Sequence, residues 1–147
     1  MSNKPKKIEI LNEVELRKTL SRLTFEIIEK VQNLENLLLV GIPTRGIDLA
    51  GVFEKELLLE TGIKIRKGII DPTFYRDDQN RVETRLIKPV DIPTPIEKQE
   101  ILLIDDVIYT GRTIRAAMDA LYSWGRPQKV MLLVMVDRGH RELPIQP

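Results

Sequence analysis

The segment Ile101–Thr113, ILLIDDVIYTGRT, holds the residues best suited to chemistry. An apolar run leads into two adjacent carboxylates, Asp105 and Asp106, and a turn rich in hydroxyls and glycine follows. Behind that turn, TIRAAMDALYSWG has helical spacing. A helix N-terminus offers free backbone N–H groups and a partial positive charge, so it accepts a phosphate. Thr110 and Thr113 add hydroxyl donors, and Gly111 lets the backbone approach closely. Carboxylates are acceptors only, which suits sugar hydroxyls or a Mg²⁺ ion. A phosphate beside a diol is a ribose 5-phosphate. The stretch therefore fits a phosphorylated ribose, with the sugar over the aspartates and the phosphate in the turn. Taken singly the residues are ordinary, Asp106 as a cap and the threonines as turn formers. A phospho-acceptor domain of the receiver type also pairs aspartates at strand ends. It needs the pair after the first strand and a lysine after a later one, and neither is found here.

The elements that must position these residues are bounded by composition. The 147 residues suffice for one domain with a core, and 42% hydrophobic with 31% charged residues describes a globular chain. Twenty-three basic and 22 acidic residues leave a net charge of +1, which excludes a bulk polyanion binder but not a local basic face. Without cysteine there are no disulfides or thiolate zinc sites, and one histidine precludes a histidine metal cluster. No apolar run reaches membrane length, and MSNKPKKIEI lacks a signal-peptide core, so a cytoplasmic chain with no membrane partner is expected.

Asn12 and Glu15 predict a capping box opening a helix from about Glu13 to Gln32, with Leu16, Leu20, Leu23, Ile27 and Val31 on one face. LLLVGI (Leu37–Ile42) reads as a strand buried on both faces. GIDLAGVFEKELLLETG reads as a second helix stopped at Gly62, and KIRKGIID as a strand. A polar segment with four prolines follows, and a structureless stretch of that length points to function or mobility. ILLID, TIRAAMDALYSWG and KVMLLVMVD complete the pattern as strand, helix and strand. Alternating helices and solid apolar strands imply an α/β fold, a mainly parallel sheet flanked by helices. Ligands bind such sheets at the carboxyl ends of strands, where IPTRG, DDVIYTGRT and VDRGHRELP all fall.

The run DDVIYTGRTIRAAMDAL, with VGIPTRGI, FYRDD, GRP and VDRGHRELPI, resembles the type I phosphoribosyltransferases. Among them it is similar to the bifunctional uracil phosphoribosyltransferases that also regulate pyrimidine operons. The similarity covers the chain from Asn12 onward. It implies a single phosphoribosyltransferase domain over residues 1–147, with a mobile active-site loop at 72–99. Family members carry a further hood beyond ELPIQP, so the hood and part of the uracil pocket would be incomplete here.

The resemblance implies transfer of ribose 5-phosphate from phosphoribosyl pyrophosphate (PRPP) to uracil, giving UMP and pyrophosphate with Mg²⁺. Asp105 and Asp106 would hold the ribose hydroxyls, directly or through Mg²⁺. The turn Val107, Ile108, Tyr109, Thr110, Gly111, Arg112 and Thr113 would line the ribose phosphate site. Thr44, Arg45 and Gly46 match the pyrophosphate loop, with a non-proline cis peptide expected at Thr44–Arg45. Tyr109 stands where purine-salvage members usually carry an aspartate. Val136, Asp137 and Arg138 would lie nearest uracil, and Tyr75, Arg76, Asp77 and Asp78 would begin the mobile loop. The chemistry agrees: departing pyrophosphate leaves an oxocarbenium-like ribose, which needs cations on the leaving group and carboxylates near the sugar. No nucleophilic side chain is required.

The resemblance also implies a second class of function, binding of pyrimidine operon mRNA in response to UMP by a homodimer or higher oligomer. Arg17, Lys18, Arg22, His140 and Arg141 are the candidate basic face, against which a solvated helix surface is the plain reading. Phe25 stands where regulatory members tend to have histidine.

Overall fold

Leu37–Gly41 (β1) is buried at every position, as a parallel strand covered on both faces must be. The computed structural model describes residues 5–75 and 90–147. Its sheet has the order β3-β2-β1-β4-β5. Here β2 is Arg66–Ile70, β3 Val90–Asp91, β4 Glu100–Ile108 and β5 Lys129–Asp137. All neighbours pair in parallel except β3, which runs antiparallel to β2.

Strand side chains alternate between faces, and the core divides accordingly. Leu38, Val40, Ile101 and Leu103 pack on one face with Ile114, Ala117 and Leu121 of α3 (Arg112–Trp124). Leu37, Leu39, Leu102 and Ile104 pack on the other with Ile27 of α1 (Glu13–Lys30) and Phe53 and Leu57 of α2 (Arg45–Thr61). Each such buried leucine or isoleucine is worth ~1.5–3 kcal/mol, against ~0–1 kcal/mol for an exposed ion pair. The apolar layers, not the surface pairs, therefore fix where the strand ends lie. The capping box forms as the sequence predicts: Asn12 N donates to Glu15 Oε2 at 2.9 Å and Glu15 N to Asn12 Oδ1 at 2.8 Å.

Three expectations are corrected. The helix α1 ends at Lys30 rather than Gln32, because Val31 is already extended. The segment 72–99 is not wholly irregular. A 3₁₀ turn spans Pro72–Tyr75, β3 follows at Val90–Asp91, and Ile92 and Ile96 enter the core. Arg76, Asp77 and Asp78 lie outside the described residues, as does the rest of 76–89. The non-proline cis peptide is Pro43–Thr44, one bond earlier than expected. Arg45 is already the first residue of α2, where helical backbone requires a trans bond.

Candidate functional site

The aspartates do not end their strand, contrary to expectation. β4 continues to Ile108 because β5 stays beside it, pairing Asp105 with Val134, Val107 with Val136 and Ile108 with Asp137. On the other side, β1 pairing stops at Gly41–Ile104. Asp105 and Asp106 thus project where the sheet has lost one neighbour. Ile42 N donates to Ile104 O at 3.0 Å, and Gly46 N to Ile42 O at 3.0 Å, so the loop after β1 turns directly onto that gap. Arg45 lies there, its side chain 80% exposed and its Nε 3.8 Å from Asp106 Oδ2. Thr44 is exposed beside it and makes no side-chain cap on α2.

Gly46 is buried against β4, and a Cβ on it would drive into the Ile104 carbonyl. Backbone cannot yield as a flexible side chain can. Gly46→Ala is therefore expected to lower stability by about 1–3 kcal/mol and to displace Arg45, with loss of activity. A thermal melt beside an activity assay checks this. Unchanged melting and activity would contradict the close approach.

The carboxylates differ in environment. Asp105 is buried and accepts from Asp106 N at 2.8 Å; Asp106 is half-buried and accepts from Val107 N at 2.9 Å. Burial, with the Asp106 side chain adding to it, pushes the Asp105 carboxyl from its ordinary 3.8 up to about 7. An acid whose pKa is raised on folding binds its proton more tightly in the native state. Its contribution to stability is present below pH 4 and is lost as pH rises through about 7. The ligand-free protein should thus melt at falling temperature across that window, and Asp105→Asn should flatten the slope. A slope unchanged by the substitution would assign it to another group.

The turn opens into a cavity of about 450 Å³ lined by Val107–Ile114 and Glu142. Gly111 is the N-cap of α3 at φ 92°, a conformation glycine adopts without cost, and it has no side chain to cap the helix itself. Thr110 Oγ1 accepts from Arg112 N at 3.2 Å. The remaining first-turn donors of α3 have no intrahelical acceptor by construction, which suits an anion. Arg112 Nε donates to Glu142 Oε2 at 2.8 Å.

The segment after β5 folds back over this turn. Val136 and Asp137 are at the end of β5, and Arg138 N continues the pairing to Ile108 O at 3.0 Å. The Arg138 guanidinium lies 4.7 Å from the Tyr109 ring centre, and the His140 ring meets Tyr109 edge-on at 5.7 Å. Asp137 accepts from Arg141 Nη2 at 2.6 Å and from Gly139 N at 2.9 Å, which holds its carboxyl below the usual range. Arg141 also donates to Tyr109 O and Ile145 O, each at 2.8 Å. Arg141 is thus an internal clamp rather than part of an open basic face. On α1, Arg17 pairs with Glu13 and Arg22 with Glu26, while Phe25 is 51% exposed. Sequence reasoning passed over Glu142, whose only signal was an acid among the basic residues after the last strand.

Comparison with known proteins gives the family of the chain. Residues 8–147 match the phosphoribosyl transferase domain family. The bifunctional protein PyrR of Microcystis aeruginosa is 51% identical over 143 residues, covering 97% of this chain and 81% of that protein. The PyrR of Gloeothece citriformis is 49% identical over 140 residues, covering 95% and 79%. Among solved structures, the hypoxanthine phosphoribosyltransferase of Trypanosoma cruzi superimposes with a TM-score of 0.71 at 18% identity, over 96% of this chain and 77% of that one, a likeness of fold. The chain belongs to the type I phosphoribosyltransferase family, and within it to the group of bifunctional PyrR proteins.

Proposed function

We propose that this chain transfers ribose 5-phosphate from PRPP to N1 of uracil, releasing pyrophosphate and forming UMP. The observation that carries the reading is the convergence, at the carboxyl ends of β1 and β4, of Asp105, Asp106, the N-terminus of α3 and Arg45, 3.8 Å from Asp106. The 5-phosphate sits in the turn Thr110–Thr113. The ribose lies over Asp105 and Asp106, whose charge stabilises the oxocarbenium as the glycosidic bond lengthens. Arg45 holds the leaving pyrophosphate, with Thr44 and Gly46 shaping its loop.

Two adjacent carboxylates, with no cluster of three or more metal-binding side chains among the described residues, fit Mg²⁺ brought in with PRPP rather than a resident ion. When bound, Mg²⁺ supplies charge neutralisation on the pyrophosphate and orients the ribose hydroxyls. No described helix is long and apolar enough to cross a membrane. Phosphorylated substrates that do not cross membranes fit a reaction in the cytoplasm, and we take the working unit to be a homodimer or higher homo-oligomer.

Tyr109, gripped by Arg138 and His140, stands beside the turn and lacks the carboxylate of purine-type members. Competition of uracil with hypoxanthine and guanine for PRPP tests the base assignment. Uracil alone should be converted, and equal turnover of a purine would sink it.

A second reading has its own support, since the relatives are named bifunctional. In it the chain also binds pyrimidine operon mRNA when UMP is bound, through Arg17, Arg22, His140 and the surface beside Arg141. The pairing of Arg17 and Arg22 with glutamates on α1 makes this face weakly basic. Titration of operon leader RNA and random RNA at two salt concentrations decides it. Arg22→Ala should flatten the salt dependence by roughly one phosphate contact.

A further inference from the structure

The turn between β4 and α3 is held in shape by residues far from it in sequence. Thr110 O accepts from Glu142 N at 2.9 Å and Leu143 N at 3.2 Å, and Tyr109 O accepts from Arg141 Nη1 at 2.8 Å. All three donors belong to one strap, Arg141–Ile145, which returns from beyond β5. The strap is seated in its turn. Ile145 packs against the core cluster that holds Ile108 and Ile114. Its carbonyl accepts from Arg141 Nε at 2.8 Å, and its N–H donates to Leu143 O at 2.8 Å. Side-chain atoms of Leu143 and Ile145 lie 3.5 Å from where a Cβ on Gly111 would be, so the strap closes on the glycine that opens α3.

A planar trans peptide points its C=O and the next residue's N–H in opposite directions. Pro43–Thr44 is the one cis bond among the described residues, so this holds through the turn. With Tyr109 O and Thr110 O both turned to the strap, the N–H groups of Thr110 and Gly111 point away from it. Among the described residues neither has a protein acceptor, whereas Arg112 N is engaged by Thr110 Oγ1 at 3.2 Å. Successive free backbone amides in a turn make a concave donor site for an anion. We propose that the strap is a positioning element of the 5-phosphate site, with Ile145 as the residue that keeps it seated: by fixing two carbonyls it aims the Thr110 and Gly111 amides at the phosphate. The proposal rests on the phosphoribosyl transfer reading given above.

Ile145 acts through the turn, so its effect should be confined to ligands that carry the 5-phosphate. Ile145→Ala removes packing that seats the strap, and should raise both the KM for PRPP and the dissociation constant for UMP by about tenfold, the scale of one hydrogen bond to a charged group. Binding of Mg²⁺-pyrophosphate, which the transfer reading places at Arg45 after β1, should be unchanged. Ile145→Val keeps most of the packing and should recover most of the UMP affinity. Steady-state kinetics and calorimetric binding of UMP and of Mg²⁺-pyrophosphate, on the wild type and both variants with a thermal melt of each, provide the test. Unchanged UMP affinity in Ile145→Ala would overturn the proposal. So would equal weakening of UMP and pyrophosphate, which marks a general loss of structure, or an equal loss in the valine variant. Should the alanine variant not fold, hydrogen exchange on the wild type decides, because coupling between strap and phosphate is reciprocal. UMP should then slow exchange of the Glu142 and Leu143 amides by about the same tenfold factor, and exchange unchanged by UMP would overturn the proposal. A wild type that binds UMP but forms none from PRPP and uracil contradicts the transfer reading instead, which keeps the two failures apart.

Discussion

Replacing both carboxylates, Asp105→Asn with Asp106→Asn, is expected to lower turnover by ~100-fold or more, the scale of losing preorganised charge at a transition state. The fold should survive. Asp105 is buried with its pKa raised, so ionising it costs the native state, and asparagine removes that cost at neutral pH. The side chains also accept from the Asp106 and Val107 amides, and the asparagine Oδ can accept from both. Turnover and a thermal melt on the same preparation separate the outcomes. Near-wild-type activity would remove the aspartates from the chemistry, and global unfolding would make them structural.

Arg45→Ala should fall nearly as far, by ~100-fold in turnover with weaker PRPP binding. The leaving diphosphate would then be held by backbone donors and Mg²⁺ alone. At 80% exposure the side chain supports no packing, and its 3.8 Å approach to Asp106 is too long for a strong pair. The loss should therefore leave melting unchanged. Arg22→Ala, on α1 and paired with Glu26, serves as the control and should leave turnover as it is. Equal turnover in Arg45→Ala and wild type would sink the leaving-group role.

Features written contiguously were legible in the sequence. Asp105, Asp106, Thr110, Gly111 and the start of α3 lie within nine residues, so their relation follows from one strand, one turn and one helix. The alternating elements likewise implied the parallel sheet. Features made by partners distant in sequence were hidden. That β4 runs on through DDVI depends on β5, since charged residues in a strand pattern look like its end. The antiparallel β3 is two residues long between prolines and pairs only because β2 offers an edge. In the sequence Arg141 has the look of a surface cation. Its bond to Tyr109 O spans 32 residues, and that distance in sequence carries no periodic signal. The Glu142–Arg112 pair spans 30 residues and was missed for the same reason.

The transfer of ribose 5-phosphate from PRPP to uracil is tested most directly by its stoichiometry. Release of pyrophosphate and formation of UMP from PRPP and uracil can be followed together, with and without uracil and with and without Mg²⁺. The account predicts equal amounts of both products, and neither when uracil or Mg²⁺ is omitted. Pyrophosphate released without uracil, or no UMP from the intact wild-type chain under any of these conditions, would contradict it.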